Sequence, residues 1–519
     1  MALSEFEKQR QANIERNKKL LNSLNLNQIN SSIAKRVKQE DDESKKAVPK
    51  VKRVKKETTP PVATRRSARL AGVKIEDTDS VIKHEVDLEK LRKEEMEKLK
   101  RIRINGNLSL VDLLKEENGD VKTEEDGDDS KILEKFKSMI GNGSRAFSAG
   151  DYYEQIKKSE GNTSKDVQQL RDQFDKFTIW EHFEPKNIAL TPERTYYTCF
   201  HPTVDKKLVL GADKEGYFGV WNASETNDVD ITNFKLHGGS IPKIEFDPSD
   251  ASKLYTCSYD GSIRRLDMAS MDSQQVFTND YDIGLTDINF GEGQEIYFTD
   301  MSGRFGRVDL RANDHSSRTY FRLSDKKIGG FGVNPNNRSQ ICTASLDRTM
   351  KIFDTRKTQS CNWTQFDDEY ETFETPALYN SRLSVSIASW NATNDIVCNG
   401  YDDTIRIFQL GKDPRKWIHD YNTPDAELEP THTLTHNCKS GKWVSILKAR
   451  WQQFPQDQVQ KFAIANMKKF IDVYDRDGNM LAHLSDPWMT NVPATCNFHP
   501  TENWLVGGGA NGKAYLFSD

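Results

Sequence analysis

From about residue 178 the chain reads as short apolar runs separated by turns rich in Gly, Asn and Asp, whereas the residues before it carry few apolar clusters. One arrangement recurs seven times after that point. It is a short strand, an often proline-containing turn, a strand ending in small residues, a polar turn, and a strand closing on an aromatic or aliphatic residue. The first copy runs Thr198-Cys-Phe-His-Pro202, Leu208-Val-Leu-Gly-Ala-Asp213 and Gly219-Val-Trp-Asn222. The fourth is the clearest, with Val333-Asn-Pro335, Thr343-Ala-Ser-Leu-Asp347 and Lys351-Ile-Phe-Asp354. The third, Asn289 to Asp309, is the faintest. Closing residues fall at Trp221, Leu266, Val308, Phe353, Phe408, Tyr474 and Phe517, at spacings of 45, 42, 45, 55, 66 and 43. A WD-repeat blade takes ~40–45 residues. The pattern therefore predicts an all-β fold, a seven-bladed WD-repeat β-propeller, over residues 174–519.

The sequence ends two residues after Phe517, at the third strand of the last blade. A closed ring needs a fourth strand there, because an open sheet edge would otherwise remain. Either Phe177-Thr-Ile-Trp180 or Ile188-Ala-Leu190 is placed to supply it. Residues 1–173 read as a long, mostly disordered arm, since they bury too little apolar surface to offset the entropy of ordering. Two short helices are expected within it, Leu3 to Leu24 and Leu88 to Ile104.

Charge sharpens that division. Between Lys35 and Lys74 the net charge is +9, and between Glu76 and Asp129 it is −8. The cluster Lys45, Lys46, Lys52, Arg53, Lys55 and Lys56, followed by Arg65-Arg-Ser-Ala-Arg69, has the composition of a nuclear-localisation signal or a nucleic-acid contact. A plain solvated linker is the alternative. Residues 178–519 carry a net −10, so the ring cannot bind nucleic acid through bulk charge. No apolar run approaches the ~20 residues of a membrane helix. The seven cysteines are widely spaced without a CxxC pair, and an intracellular chain without disulfide framework or zinc knuckle is expected.

Catalytic chemistry finds no constellation. His432, His436 and Cys438 have superficially ligand-like spacing, but the intervening Thr-Leu-Thr reads as extended, and His436 stands where WD repeats carry a structural histidine. His201 and His499, each before a proline, recur in register and read as blade structure. Gly507-Gly-Gly509 is a strand end without the Lys-Ser/Thr of a phosphate loop. Asp260, Asp347 and Asp402 read as acceptors that stabilise turns. No enzyme activity, metal, cofactor, membrane or small-molecule substrate is expected.

One face of the ring is the candidate for binding. A base lies in or just beyond the turn between the second and third strands of every blade: Lys214, Arg264, Arg304, Arg348, Arg406, Lys468 and Lys513. Such a ring of cations tracks phosphates, although ordinary WD repeats also carry Lys or Arg there. The long connection from blade five to blade six presents Lys439-Ser-Gly-Lys-Trp443 on the same side. Trp443 either stacks on an unpaired base or folds back onto its own blade.

Taken together, these segments resemble the DNA damage-binding WD-repeat family, most closely its fungal nuclear members. The resemblance is carried by His201-Pro-Thr with Val220-Trp-Asn222, Gly238-Gly-Ser-Ile-Pro242, Asp325-Lys326-Lys327-Ile328, Thr343 through Arg356, and Ile471-Asp-Val-Tyr-Asp475. It covers the whole propeller and implies a nuclear, non-enzymatic protein of DNA metabolism or the DNA damage response that binds single- and double-stranded DNA on one propeller face, with UV-damaged DNA as an expected preferred substrate. It places Lys327 on a DNA-contacting lysine, and Arg194 and Lys214 in or beside basic contact positions, with Lys326 adjoining. The family's lesion-probing wedge falls on Gly441-Lys442-Trp443, where its aromatic-amide-imidazole triplet is absent. Phe353-Asp354-Thr-Arg356 resembles the motif by which such propellers dock onto the adaptor of a cullin-RING ubiquitin ligase, and Val308-Asp-Leu-Arg311 is a second copy. A substrate receptor or histone- and chromatin-binding scaffold with incidental DNA contact is the rival reading.

Overall fold

The computed structural model describes residues 103–117, 128–140, 164–180, 184, 187–225, 228–279, 283–311, 319–361, 370–411 and 426–519. The chain divides into two units, Met1–Thr78 and Asp79–Asp519, and every described residue belongs to the second. The expected helix at 3–24, that at 88–104 up to residue 102, and the basic clusters at 45–56 and 65–69 lie outside the described residues.

Seven sheets of at least four strands form a ring, antiparallel throughout except where Ala426–Glu427 adds a parallel edge to blade four. Their inner strands are Thr195–Phe200, Lys243–Phe246, Leu285–Phe290, Ile328–Asn334, Val385–Trp390, Arg450–Trp451 and Thr495–Phe498. Each inner strand packs beside the next, and the last returns to the first. There the Thr198 hydroxyl donates to the Thr495 carbonyl at 3.1 Å. Both faces of a blade lie against neighbours, so second strands such as Leu208–Asp213 and Asp395–Gly400 are buried at every position. This is why the sequence shows continuous apolar runs there and not a clean alternation.

The ring is clasped from upstream. Thr178–Ile179 is the outer strand of blade seven, pairing Ile179 with Phe517 and Thr178 with Ser518. Of the two candidate clasps the first therefore forms the strand, while Ala189 makes only a single bridge to Lys513. Further upstream, Leu108–Ser109 adds a fifth strand to the outer edge of blade two. Among the described residues three helices accompany it: α1 (Leu110–Glu117), α2 (Asp128–Ile140) and α3 (Ser164–Phe174). Leu110, Phe136, Met139 and Ile140 are buried in one cluster with Phe218, Phe234 and Leu254 of blades one and two. Leu170 and Phe174 of α3 join the core of blades five to seven.

Four histidines, His201, His237, His436 and His499, are buried within the blades. His237 sits between Asp260 and Thr256, at 3.1 and 2.9 Å, and His436 is 2.8 Å from Asp472. His201 meets the Ala251 carbonyl and His499 the Thr203 carbonyl, both fully buried. Burial pushes both imidazoles down to about 4, whereas an unfolded chain's histidine titrates near 6.5. The unfolded state thus holds more protons between these values, and stability is present at neutral pH and falls as the pH drops through this window. Each histidine contributes roughly 3 kcal/mol to that loss by its lower end. Urea midpoints measured across the window are expected to decline steeply; a flat profile would refute the assignment.

Candidate nucleic-acid interface

In blade after blade, the turn between the second and third strands is hydrogen-bonded to the connection that enters the inner strand. Examples are Tyr259 N–H to the Ser240 carbonyl, Leu346 N–H to Lys327, Tyr401 N–H to Ser384 and Met467 N–H to Asn437. These turns and connections form one continuous face. Gly303 shows how tightly they meet: its φ is +89°, and a Cβ there would lie 2.2 Å from the Ser324 carbonyl oxygen. Only glycine allows this turn to carry the connection that ends in Lys326 and Lys327.

Bases on this face divide by register. Arg264, Arg304 and Arg406 each stand four residues after a turn aspartate, inside the third strand. Their side chains lie largely within the blades and not on the surface, a correction to the ring of seven phosphate contacts read from the sequence. Arg406 pairs with Asp402, and Arg304 with Asp300 at 2.8 Å while stacking on Tyr320. Arg264 is fully buried, and its guanidinium donates to the Gly106 and Ile104 carbonyls at 2.8 Å each. For Arg304 and Arg406 the physical reason is local, because a base four residues after the turn aspartate closes an ion pair with it, whereas Arg264 is covered by the segment at Ile104 and Gly106 while Asp260 pairs with His237. Bases within the turns themselves, Lys214, Arg348 and Lys468, are exposed, as is Lys326 on its connection. Lys214 is paired to Glu215 at 2.6 Å. Lys513 is half-buried at the end of its turn.

The remaining sequence-predicted residues converge on the mouth of the ring. The Arg194 guanidinium donates to the Lys442 carbonyl at 3.2 Å and lies 5.4 Å from the Tyr196 ring. Tyr196 meets Tyr259 edge-on at 6.1 Å. Lys327 covers the Tyr259 ring at 4.7 Å and donates to its hydroxyl at 2.8 Å. At the other end, the Lys442 ammonium is 5.5 Å from the Trp443 ring. A strip of interleaved cations and aromatic rings thus runs Trp443, Lys442, Arg194, Tyr196, Tyr259, Lys327 across the face, with one cation–cation and one ring–ring neighbour along it. Tyr196 and Tyr259 were missed by sequence reasoning because they sit in strand and turn positions where an aromatic reads as core. Beneath the strip, Lys448 donates to the Gly329 carbonyl at 2.8 Å. Burial, then Arg450 nearby, pushes its ammonium down to about 7.

Trp443 does not fold back: it is 77 % exposed. Its loop is nonetheless held, since Val444 N–H donates to the Gly441 carbonyl and the Ser445 hydroxyl to the Thr195 carbonyl at 2.7 Å. The loop therefore reaches from the blade-six turn at Met467 to the first strand of blade one.

Asp354 and Arg356 lie within the long third strand Thr349–Cys361, at the opposite end of the blade where it leaves its pairing with the second strand, and not at a strand end as the sequence suggested. They form a bidentate pair at 2.9 and 2.8 Å, with the Arg356 side chain 61 % exposed. Asp309 and Arg311 repeat this geometry one blade earlier. Among the described residues no cluster of His, Cys, Asp and Glu is arranged to hold a metal ion.

No family model matches the chain. Curated relatives match it from end to end. It is 41 % identical to the DNA damage-binding protein CMR1 of Vanderwaltozyma polyspora, over 100 % of this chain and 98 % of that one. The proteins of the same name from Meyerozyma guilliermondii and Candida albicans are 40 % and 36 % identical, over the whole of both chains in each case. With relatives at this identity over this length, the chain belongs to the fungal family of DNA damage-binding WD-repeat proteins.

Proposed function

We propose that this protein is a non-enzymatic, nuclear DNA-binding protein of the DNA damage response, which holds single- and double-stranded DNA against the cation–aromatic strip. The strip carries the reading. Its cations stand over or beside rings, so they are fixed in place and partly desolvated, and a phosphate meets them with less ordering cost than it would meet free lysines. Trp443 offers a face for an unpaired base. The names of the relatives support the same partner, and the basic cluster Lys45–Lys56 supports nuclear import.

Binding of this kind rests on phosphate contacts, so affinity for undamaged duplex is expected to fall steeply as salt rises. The bases of the strip and the exposed turns predict a log–log slope of about −3 to −5. Titrating the full chain with labelled duplex at several salt concentrations measures it. Salt-independent affinity would remove the basis of the proposal.

A second reading is favoured by one observation, the exposed and rigidly paired Arg356. Its place on the opposite end of the blade leaves it available to a protein partner while DNA occupies the strip. A cullin-RING ligase adaptor is the partner that the Asp354–Arg356 motif suggests; histones or other chromatin proteins are the alternatives.

A further inference from the structure

Six large apolar side chains among the described residues are exposed: Val204, Leu346, Trp443, Ile446, Met480 and Trp488. Leu346 lies in a turn of the strip face, and Trp443, Ile446 and Trp488 lie in its inter-blade connections. An isolated exposed apolar residue needs no explanation, but two tryptophans on successive connections of one face do.

Neither tryptophan is exposed by looseness. In the connection from blade six to blade seven, the Asp486 carboxylate accepts the Trp488 N–H at 2.7 Å. The Met489 N–H donates to the Asp486 carbonyl at 3.0 Å, and the Thr490 N–H to the Trp488 carbonyl at 2.9 Å. Met489, the next residue, is buried in the core and anchors the turn. The backbone thus drives Met489 inward and Trp488, 50 % exposed, outward. The Trp443 loop passes the same region, because it runs from Met467 of blade six to Arg194 and Thr195 of blade one, and the Trp488 connection leads into the blade between them. Exposed Lys439 and Lys442 stand on the Trp443 loop, and exposed Lys468 and Lys469 on the blade-six turn beside it.

We propose that Trp443 and Trp488 form a two-ring platform on which consecutive unpaired bases of a DNA strand stack, while the flanking lysines hold its phosphates. This rests on the DNA-binding reading above and deepens it: the preferred substrate is locally unpaired DNA, whatever chemistry unpaired it. Stacking suits this arrangement because every base presents a π-face, so recognition tolerates sequence and lesion type. Two rigid rings select a strand with more than one free base over a continuous duplex, whose bases are already stacked on one another.

The test uses the full-length protein with three probes: an oligothymidylate, a fully paired duplex, and the same duplex with a short central bubble of undamaged bases. The wild type is expected to prefer the bubble to the duplex. Trp488→Ala should weaken oligothymidylate and bubble about tenfold, equivalent to ~1.4 kcal/mol, and leave the paired duplex unchanged. Trp443→Ala, which also removes a ring of the strip, should weaken oligothymidylate and bubble more than the paired duplex, and Trp488→Phe should restore most of the Trp488→Ala loss. Thermal melting of each variant checks the fold. If Trp488→Ala leaves bubble and oligothymidylate affinity unchanged, or weakens all three probes alike, the platform is refuted while DNA binding stands. If the wild type binds none of the probes, the DNA-binding reading fails with it. Quenching of indole emission by a short apolar peptide but not by oligothymidylate would instead assign the two rings to a protein partner and overturn the proposal.

Discussion

Reversing Lys327 and Lys442 together to glutamate is expected to weaken binding of undamaged duplex by at least about a hundredfold near 0.1 M salt, with the ring still folded. At that salt, removing one lysine–phosphate pair costs close to tenfold through counterion release alone. Reversal adds repulsion that acts across the ~10 Å Debye length. Both side chains project from connections, not strands: Lys442 is exposed, and Lys327 rests on the surface of Tyr259. Neither is enclosed in a blade, so melting should change little. The slope of log affinity against log salt should become shallower by about 2. Lys214→Glu serves as a graded control, because its ammonium already holds Glu215 and a phosphate must compete for it. Fluorescence anisotropy with labelled duplex reads both quantities. Unchanged affinity and slope in a folded double variant would show that the strip is not the DNA-binding surface.

The blades were readable in the sequence because their signal is local and repeated. A turn aspartate, a buried second strand and a closing aromatic recur at nearly constant spacing, and the clasp followed from counting strands in the last blade. The site was harder because its residues are brought together by ring closure. Arg194 precedes blade one and Lys442 precedes blade six, yet one donates to the other's carbonyl. Tyr196 and Tyr259 touch although they lie in different blades. Charge alone misled where register decided: Arg264, Arg304 and Arg406 carry the same charge as Arg348 but stand in a strand instead of a turn. A rule was available, since each follows a turn aspartate by four residues, and Lys351 follows Asp347 in the same way, 4.0 Å away. Trp488 had no such signal, for its outward direction depends on Asp486 capping the turn and Met489 filling the core.

The largest stability effect is expected from where the chain is cut. A fragment spanning 103–519 should melt close to the full-length protein, whereas one spanning 174–519 should be strongly destabilised or aggregate. The second fragment loses Leu110, Phe136, Met139, Ile140 and Leu170, all buried against blades. At about 1.5–3 kcal/mol per side chain this is roughly 7–15 kcal/mol of burial. Ordering these segments offsets part of that figure. The remainder is still large beside the ~5–15 kcal/mol that holds a typical domain together. The cut also uncovers the outer edge of blade two, Asp272–Thr278, which otherwise pairs with Leu108–Ser109. An unpaired edge beside newly exposed Phe218 and Phe234 is a template for association. Arg264 loses both carbonyl acceptors at once. Charged helices flanking sparse apolar residues disguise this dependence in the sequence, but Ile132, Leu133, Phe136, Met139 and Ile140 fall at helical spacing along one face of α2. Thermal melting and gel filtration of the two fragments decide the matter, and a 174–519 fragment that is monomeric with an unaltered midpoint would show that the upstream helices only decorate the ring.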